Sequence, residues 1–302
     1  MKPIEKVAVI GSGTMGRQIA LQTAWAGLPV ALYDLDPAAL ERARQAQRAE
    51  LAAWVGAGKL SEEASDAIVG RLRYATGLAE ALAGADLAIE VVPERVEVKR
   101  AAFAQIDALL APGAIIATNS SSIRVSLLED ATARPELVAN LHFYLPVWEH
   151  PMVEIGGGTR TGEPVLAALT QFARQIGMLP LRVHKESTGF IFNRVWRAIK
   201  KEVLKVVDSG VASHEDVDRA WLIAYGTANL PPFALMDRVG LDVVLDIELH
   251  YARESGDPAD LPPPILTERV ARGDLGQKSG RGFYTYPNPA YAAPDFLDPH
   301  AT

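Results

Sequence analysis

The sequence predicts an α/β protein: a doubly wound, mainly parallel sheet followed by an all-helical domain. Short apolar runs alternate with helical periodicities as far as about Val183, a glycine-rich loop joins the first run to the first helix, and beyond Val183 the apolar runs take helical spacing only.

The first run, Val7-Ala8-Val9-Ile10, is continuously apolar, as a strand buried on both faces must be. A helix is expected from about Thr14 to Ala26 and a second strand from Pro29 to Asp34. Asp36 offers an N-cap and Pro37 a first-turn proline for a helix to about Trp54. Ser61 and an acidic first turn open another helix, expected to reach about Leu72. Further strands are expected at Leu87 to Val92, Ala114 to Thr118, Val138 to Leu141, Val153 to Ile155 and Leu179 to Val183, with helices near Glu94 to Leu110 and Pro164 to Ile176. A boundary near Lys185 to Thr188 divides residues 1–186 from 187–302. Past it, Phe190 to Val207, His214 to Tyr225, Pro232 to Arg238, Leu241 to Arg253 and Pro263 to Arg272 read as helices. Only Gly282 to Tyr286 looks strand-like there, and the proline-rich tail from Pro287 reads as irregular.

A length of 302 residues suits two domains. The net charge of -7, with both signs mixed along the chain, argues against nucleic acid or an anionic membrane as partner. The chain has no cysteine, hence no disulfide framework, thiolate metal site or cysteine nucleophile, and no metal site is expected. The N-terminus lacks the features of a signal peptide, and no window approaches ~18 uncharged apolar residues. A soluble cytoplasmic protein is expected.

Gly11-Ser12-Gly13-Thr14-Met15-Gly16 carries three glycines with separate tasks: a tight turn, close approach to a pyrophosphate, and close helix–strand packing. The helix N-terminus behind them offers N–H groups to phosphate. Asp34, eighteen residues beyond Gly16, is placed to accept from adenosine ribose hydroxyls and to repel a 2'-phosphate. This is a Rossmann-type signature, and it predicts NAD rather than NADP.

Three later segments interrupt apolar stretches with polar groups: Asn119-Ser120-Ser121-Ser122 at a strand end, His142 through Pro146 leading to Glu154, and Gly189 through Arg194. Alone, each residue has a plainer use. His142 could be a satisfied core residue, Glu154 a salt-bridge partner, and Ser121 or Asn193 a helix cap.

Taken in order, these segments resemble the 3-hydroxyacyl-CoA dehydrogenase family over nearly the whole chain. They correspond to its N-T-S-S, H-F-x-N-P, following glutamate and G-F-x-x-N-R elements. Glu90, Glu94 and Lys99 resemble its stretch beside the nicotinamide, Gly58-Lys59-Leu60-Ser61 a CoA-contacting segment, and Gly276 through Tyr284 its closing motif. The resemblance implies His142 as general base, with Glu154 fixing its tautomer and stabilising the imidazolium. It implies Ser121 and Asn193 on the substrate oxygen, Lys59 toward a CoA phosphate, and Glu94, Lys99 and Asn119 beside the cofactor with Gly11, Gly13, Thr14, Met15, Gly16 and Asp34. A homodimer through the helical domain, an active site in the cleft between domains and a role in fatty acid metabolism are also implied.

Two departures bear on the substrate. Leu145 stands where the family has asparagine, and Gly226 through Phe233 differs from its glycine-rich version. The expected substrate is a short-chain L-3-hydroxyacyl-CoA such as 3-hydroxybutyryl-CoA. The same chemistry on a hydroxy metabolite without CoA, and a non-catalytic NAD(H)-binding protein, are the alternatives. The 6-phosphogluconate type is set aside because no lysine precedes Asn193 at the required place.

Overall fold

In the computed structural model, described over residues 1–298, eight strands form one sheet. In chain order the first elements are β1 (Val7–Ile10), α1 (Thr14–Trp25), β2 (Val30–Tyr33), α2 (Pro37–Gly56), α3 (Glu62–Val69), β3 (Leu72–Ala75) and α4 (Leu78–Leu82). There follow β4 (Leu87–Glu90), α5 (Val96–Leu109), β5 (Ile115–Thr118), β6 (Val138–Phe143), β7 (Met152–Gly157), α6 (Glu163–Gln175) and β8 (Leu179–Val183). The strand order is β3-β2-β1-β4-β5-β6-β7-β8: the chain winds outward from β1 to β3, then returns to β4 on the other side of β1. The C-terminal ends of β1 and β4 therefore flank the switch point at which open parallel sheets bind ligands.

Period-two alternation builds a core on each face of the sheet. Val7 and Val9 of β1, Leu87 and Ile89 of β4, and Ile115 of β5 join one cluster with Ile19 and Leu21 of α1 and Leu169 and Phe172 of α6. Ala8, Ile10, Ala88 and Ile116 join the opposite one with Phe103 and Ile106 of α5. Burial of both faces explains the continuously apolar runs that mark β1, β4 and β5.

β6 pairs with β7 antiparallel, the one such pair in the sheet. Ala139, Leu141 and Phe143 of β6, with Val153 and Ile155 of β7, turn to the first core. Asn140, His142 and Glu154 thus fall on the other face, and the register sets His142 directly across from Glu154. β8 closes the sheet as an edge strand, the place where Pro180 within a strand is tolerated.

One expected helix is shorter than the sequence suggests. Residues from Ser61 to Leu72 do not form one helix: Ser61 caps α3 as expected, but α3 ends at Val69 with Gly70 as its C-cap. Leu72–Ala75 is instead β3, pairing parallel with β2, and the short α4 follows it. Both elements are too brief to impose a visible period.

Contacts divide the chain into a unit spanning Met1–Phe192 and a second beginning at Asn193. The second comprises α7 (Phe192–Asp208), whose first residue belongs to the preceding unit, with α8 (His214–Tyr225), α9 (Pro232–Val239), α10 (Leu241–Ser255) and α11 (Pro264–Ala271). They pack on Leu204, Phe233, Met236, Leu241 and Leu266. The stretch Gly282 to Tyr286 is not a strand. Its Phe283 and Tyr284 N–H groups donate to the Asp237 carboxylate, each at 2.8 Å, and so find an acceptor without a partner strand. No described helix is long and apolar enough to cross a membrane.

Candidate active site

Gly11 adopts φ +111° and packs so tightly that a Cβ would lie 2.5 Å from the Val91 carbonyl oxygen. A Cβ on Gly16 would lie 1.9 Å from the Gly11 oxygen, so this glycine permits α1 to approach β1. Gly13 differs: nothing lies within 4 Å of its Cβ position. Two of the three glycines thus permit close packing, and the third has open space around it.

Gly13 is also the N-cap of α1 and supplies no side-chain cap, and the first turn holds no acidic residue. Thr14 is exposed and Met15 half-buried at this helix start. Free N–H groups at the positive end of a helix suit a phosphate. Asp34 is oriented by the loop itself, its Oδ2 accepting from the Ser12 N–H at 2.7 Å and the Ser12 hydroxyl at 2.8 Å. A largely apolar cavity of about 800 Å³ runs from Gly13 and Asp34 past Leu78 and Val92 to Ala101. These features fit the adenosine and pyrophosphate parts of NAD.

Beyond β4 lies a charged cluster in which Glu90 and Lys99 are buried and Glu94 is partly exposed. Lys99, 1 % exposed, donates to Glu90 at 2.8 Å and to the Val92 carbonyl at 3.2 Å, and pairs with Glu94 at 3.2 Å. With those three partners the ammonium is an organiser of the cluster. Burial pushes the Glu90 carboxyl up even with Lys99 beside it. Glu94 is held below the usual carboxylate range: burial opposes this, but the Lys99 charge and serine hydrogen bonds outweigh it. Glu94 accepts from the Ser121 and Ser122 N–H groups, each at 3.1 Å, from the Ser122 hydroxyl at 2.9 Å and from the Ser120 hydroxyl. Glu94 and Lys99 thereby fix the Asn119–Ser122 loop.

That loop is stitched to β6. Asn119 Oδ1 accepts from the Phe143 N–H at 2.8 Å, and Asn140 Nδ2 donates to the Ser120 carbonyl at 2.9 Å. Ser121 caps no helix: the turn at Val125–Leu127 has Arg124 as its N-cap without a side-chain bond, and it is the Ser120 hydroxyl that accepts from the Ile123 N–H, at 2.8 Å. The Ser121 hydroxyl takes no part in these bonds.

His142 is 5 % exposed, and its Nδ1 lies 3.0 Å from Glu154 Oε2. Nε2 is left as the nitrogen that can exchange a proton with a substrate. The same Oε2 accepts from the Tyr144 hydroxyl at 2.7 Å. Oε1 accepts from the Ile191 and Phe192 N–H groups at 2.8 and 2.9 Å. Burial acts to raise the Glu154 carboxyl, but these four donors, His142 foremost, hold it below the usual range. Two consecutive left-handed residues, Gly189 at φ +73° and Phe190 at φ +46°, precede the two N–H donors. A non-glycine residue in that region carries strain, and Phe190 is retained with its ring 5.7 Å from His142.

The structure thus brings His142, Glu154 and the Asn119–Ser122 loop together on β5, β6 and β7. Asn193 opens the second unit, in the first turn of α7 and one residue past the Phe192 N–H that Glu154 binds. It lies inside the helix rather than at its N-cap. Lys59 is exposed in the connection between α2 and α3. Sequence reasoning did not single out Tyr144, Phe190 or Ser120. Tyr144 was legible, since alternation puts residue 144 on the face of residue 142. The left-handed pair at 189–190 carried no such sign.

A sheet with this switch point and glycine loop, next to a buried histidine–carboxylate pair, defines an NAD-dependent dehydrogenase acting on a CH–OH group, and the comparisons agree. Residues 6–187 match the family described as 3-hydroxyacyl-CoA dehydrogenase, NAD binding domain, and residues 189–286 match 3-hydroxyacyl-CoA dehydrogenase, C-terminal domain. The chain belongs to the 3-hydroxyacyl-CoA dehydrogenase family. It is 36% identical to a 3-hydroxybutyryl-CoA dehydrogenase of Mycobacterium tuberculosis over 94% of this chain and 99% of that one. It is 34% identical to a 5-formyl-3-hydroxy-2-methylpyridine 4-carboxylate 5-dehydrogenase of Mesorhizobium japonicum, over 94% of this chain and 91% of that one. The solved (S)-3-hydroxybutyryl-CoA dehydrogenase of Ralstonia eutropha superposes with a TM-score of 0.89 at 32% identity, covering 94% of this chain and 100% of that one.

Proposed function

We propose that this protein interconverts a short-chain L-3-hydroxyacyl-CoA, such as 3-hydroxybutyryl-CoA, and its 3-oxoacyl-CoA, with His142 as general base. The observation that carries this reading is the cross-strand His142–Glu154 pair, held at 3.0 Å beside the Asn119–Ser122 loop. When bound, NAD supplies the acceptor for the hydride leaving the carbinol carbon. The chain's own residues do the rest. His142 takes the hydroxyl proton on Nε2, and the Glu154 carboxylate stabilises the imidazolium and fixes the ring. Ser121 and Asn193 donate to the substrate oxygen as its charge changes, a positioning and electrostatic role. Asp34 binds the adenosine ribose, the helix end at Gly13 the pyrophosphate, and Lys59 a CoA phosphate. The helical unit leaves Val195, Val211, Ile223 and Tyr225 exposed, which supports a homodimer formed through it.

A second reading keeps the chemistry and changes the substrate to a hydroxy compound without CoA. The relative named for a pyridine carboxylate favours it, whereas Leu145, apolar and 42% exposed where the family has asparagine, changes the segment after His142 without selecting between the two. Trp148, packed edge-on against Trp54 at 4.9 Å, adds bulk to the same loop.

A panel comparing acetoacetyl-CoA with free acetoacetate and unrelated keto acids, followed by NADH absorbance, separates the two. Activity confined to compounds without CoA would overturn the first reading, and no hydride transfer to any of them would favour a non-catalytic role. The cofactor assignment has its own check in Gly13→Ala, which has space for the methyl and a permitted φ of -58°. It is expected to leave the thermal midpoint unchanged while weakening NADH binding about tenfold, roughly 1.4 kcal/mol. Unchanged NADH affinity would remove the pyrophosphate from this loop.

A further inference from the structure

Tyr144 stands at the unspecified place in the His142-to-Pro146 segment, one residue ahead of the position where Leu145 replaces the family asparagine. Two residues on from His142 along an extended chain, it keeps the face of the sheet that His142 and Glu154 share. Leu145 is exposed. The Tyr144 ring lies 4.6 Å from the imidazole and 5.4 Å, edge-on, from Phe192.

We propose that Tyr144 is a positioning residue that sets the proton affinity of His142 by sharing Glu154 Oε2 with it. This rests on the reading of His142 as the general base. Two groups compete for a single oxygen. Glu154 is fully buried, and its two oxygens together accept four hydrogen bonds, about the number of lone-pair sites a carboxylate has. The main-chain donors saturate Oε1, so the imidazole and the phenol divide the charge on Oε2. A phenol hydrogen bond to a carboxylate is charge-assisted and draws electron density from that oxygen. The imidazolium is then stabilised less than it would be by Glu154 alone, and the ring gives up its proton at lower pH. Among the described residues, the titratable groups in direct contact with the imidazole are Glu154 from β7 and Tyr144 itself; Phe190, also against the ring, is apolar. The Lys99–Glu90–Glu94 cluster has its own partners.

Tyr144→Phe keeps the ring and removes the hydroxyl. The acid limb of kcat/KM for alcohol oxidation is expected to move to higher pH by roughly half to one unit, with KM for NAD unchanged. The His142 imidazole, followed by NMR in the protein without substrate, should titrate higher by the same amount. A 3-fluorotyrosine installed at position 144, a stronger donor of the same shape, should move both readouts the opposite way, which a purely packing role would not do. An NMR titration unmoved by both changes overturns the proposal, whatever happens to activity. A titration that moves while the pH–rate profile stays fixed upholds Tyr144 as the partner of the imidazole and counts instead against His142 as the base.

Discussion

The β6–β7 hairpin and the helical unit each bury carboxylates beneath main-chain N–H groups and tyrosine hydroxyls, yet they treat the charge in opposite ways. In the hairpin, Glu154 accepts from two N–H groups, Tyr144 and His142, and is held below the usual carboxylate range although burial opposes it. In the helical unit, Asp218 accepts from the Phe233 and Ala234 N–H groups and the Tyr284 hydroxyl. There burial prevails, with the charge of Asp237 adding to it, and the carboxyl is pushed up to about 6. Asp237 is raised for the same first reason, burial, despite accepting from Phe283, Tyr284 and Tyr286. Three neutral donors do not offset desolvation at Asp218, whereas four that include an imidazole do so at Glu154. A raised carboxyl is often taken as a mark of a functional site, but here Asp218 holds α8 to α9 and Asp237 holds α9 to the closing motif. The carboxylate assigned to chemistry is the one with an imidazole partner.

The comparison breaks most visibly at the imidazole. His142→Gln keeps a hydrogen bond available to Glu154 but provides no base. Turnover is expected to fall about 10²–10⁴-fold, with NADH affinity and thermal midpoint close to wild type. Near-normal turnover would mean that the hairpin, like the helical unit, uses its carboxylate for structure alone.

The helical unit should answer to stability instead. Gly276, at φ +90°, lies where a Cβ would come within 2.2 Å of the Asp237 carbonyl oxygen, and Gly282 where one would meet Asp237 Oδ1 at 2.1 Å. The closing motif can wrap the Asp237 carboxylate only because both are glycine. Gly276→Ala combines a backbone clash with a disfavoured φ, and a loss of roughly 3 kcal/mol or more is expected in urea unfolding. A variant as stable as wild type would show that the loop can dock without this close approach.

How much of this was legible follows from the same physics. Continuous burial gave β1, β4 and β5 their apolar runs, and the glycine loop with Asp34 announced the switch point because each of its residues answers a local geometric demand. His142 and Glu154 could be paired only through the resemblance, for their meeting depends on the register of an antiparallel hairpin. β3 and α4 escaped because four or five residues do not establish a period. Gly282 to Tyr286 resembled a strand because its main chain does seek acceptors, but it finds them on a carboxylate that lies 46 and 47 residues away in sequence. Nothing in a linear pattern records such a partner.

Asp218 gives the smallest effect and the most direct contrast in sign. Its folded carboxyl, at about 6, holds a proton that the unfolded chain releases near 3.8, because burial disfavours the anion. Between these values the folded state binds more protons, so this group lowers stability as pH rises from about 4 to about 6, and adds no further slope above that. Glu154 behaves in reverse: its folded carboxyl lies below the unfolded 4.5, so its contribution is present above that value and is lost as pH falls through the folded one. Asp218→Asn removes the first slope and leaves the second. The asparagine forfeits an acceptor whatever the pH, so the variant starts with a fixed deficit. Relative to wild type it should then gain up to about 3 kcal/mol as pH is raised from 4 to 7. Urea midpoints collected across that range would give the difference directly. Two parallel curves would mean that Asp218 does not change protonation there, and that its donors stabilise the buried charge as fully as those of Glu154.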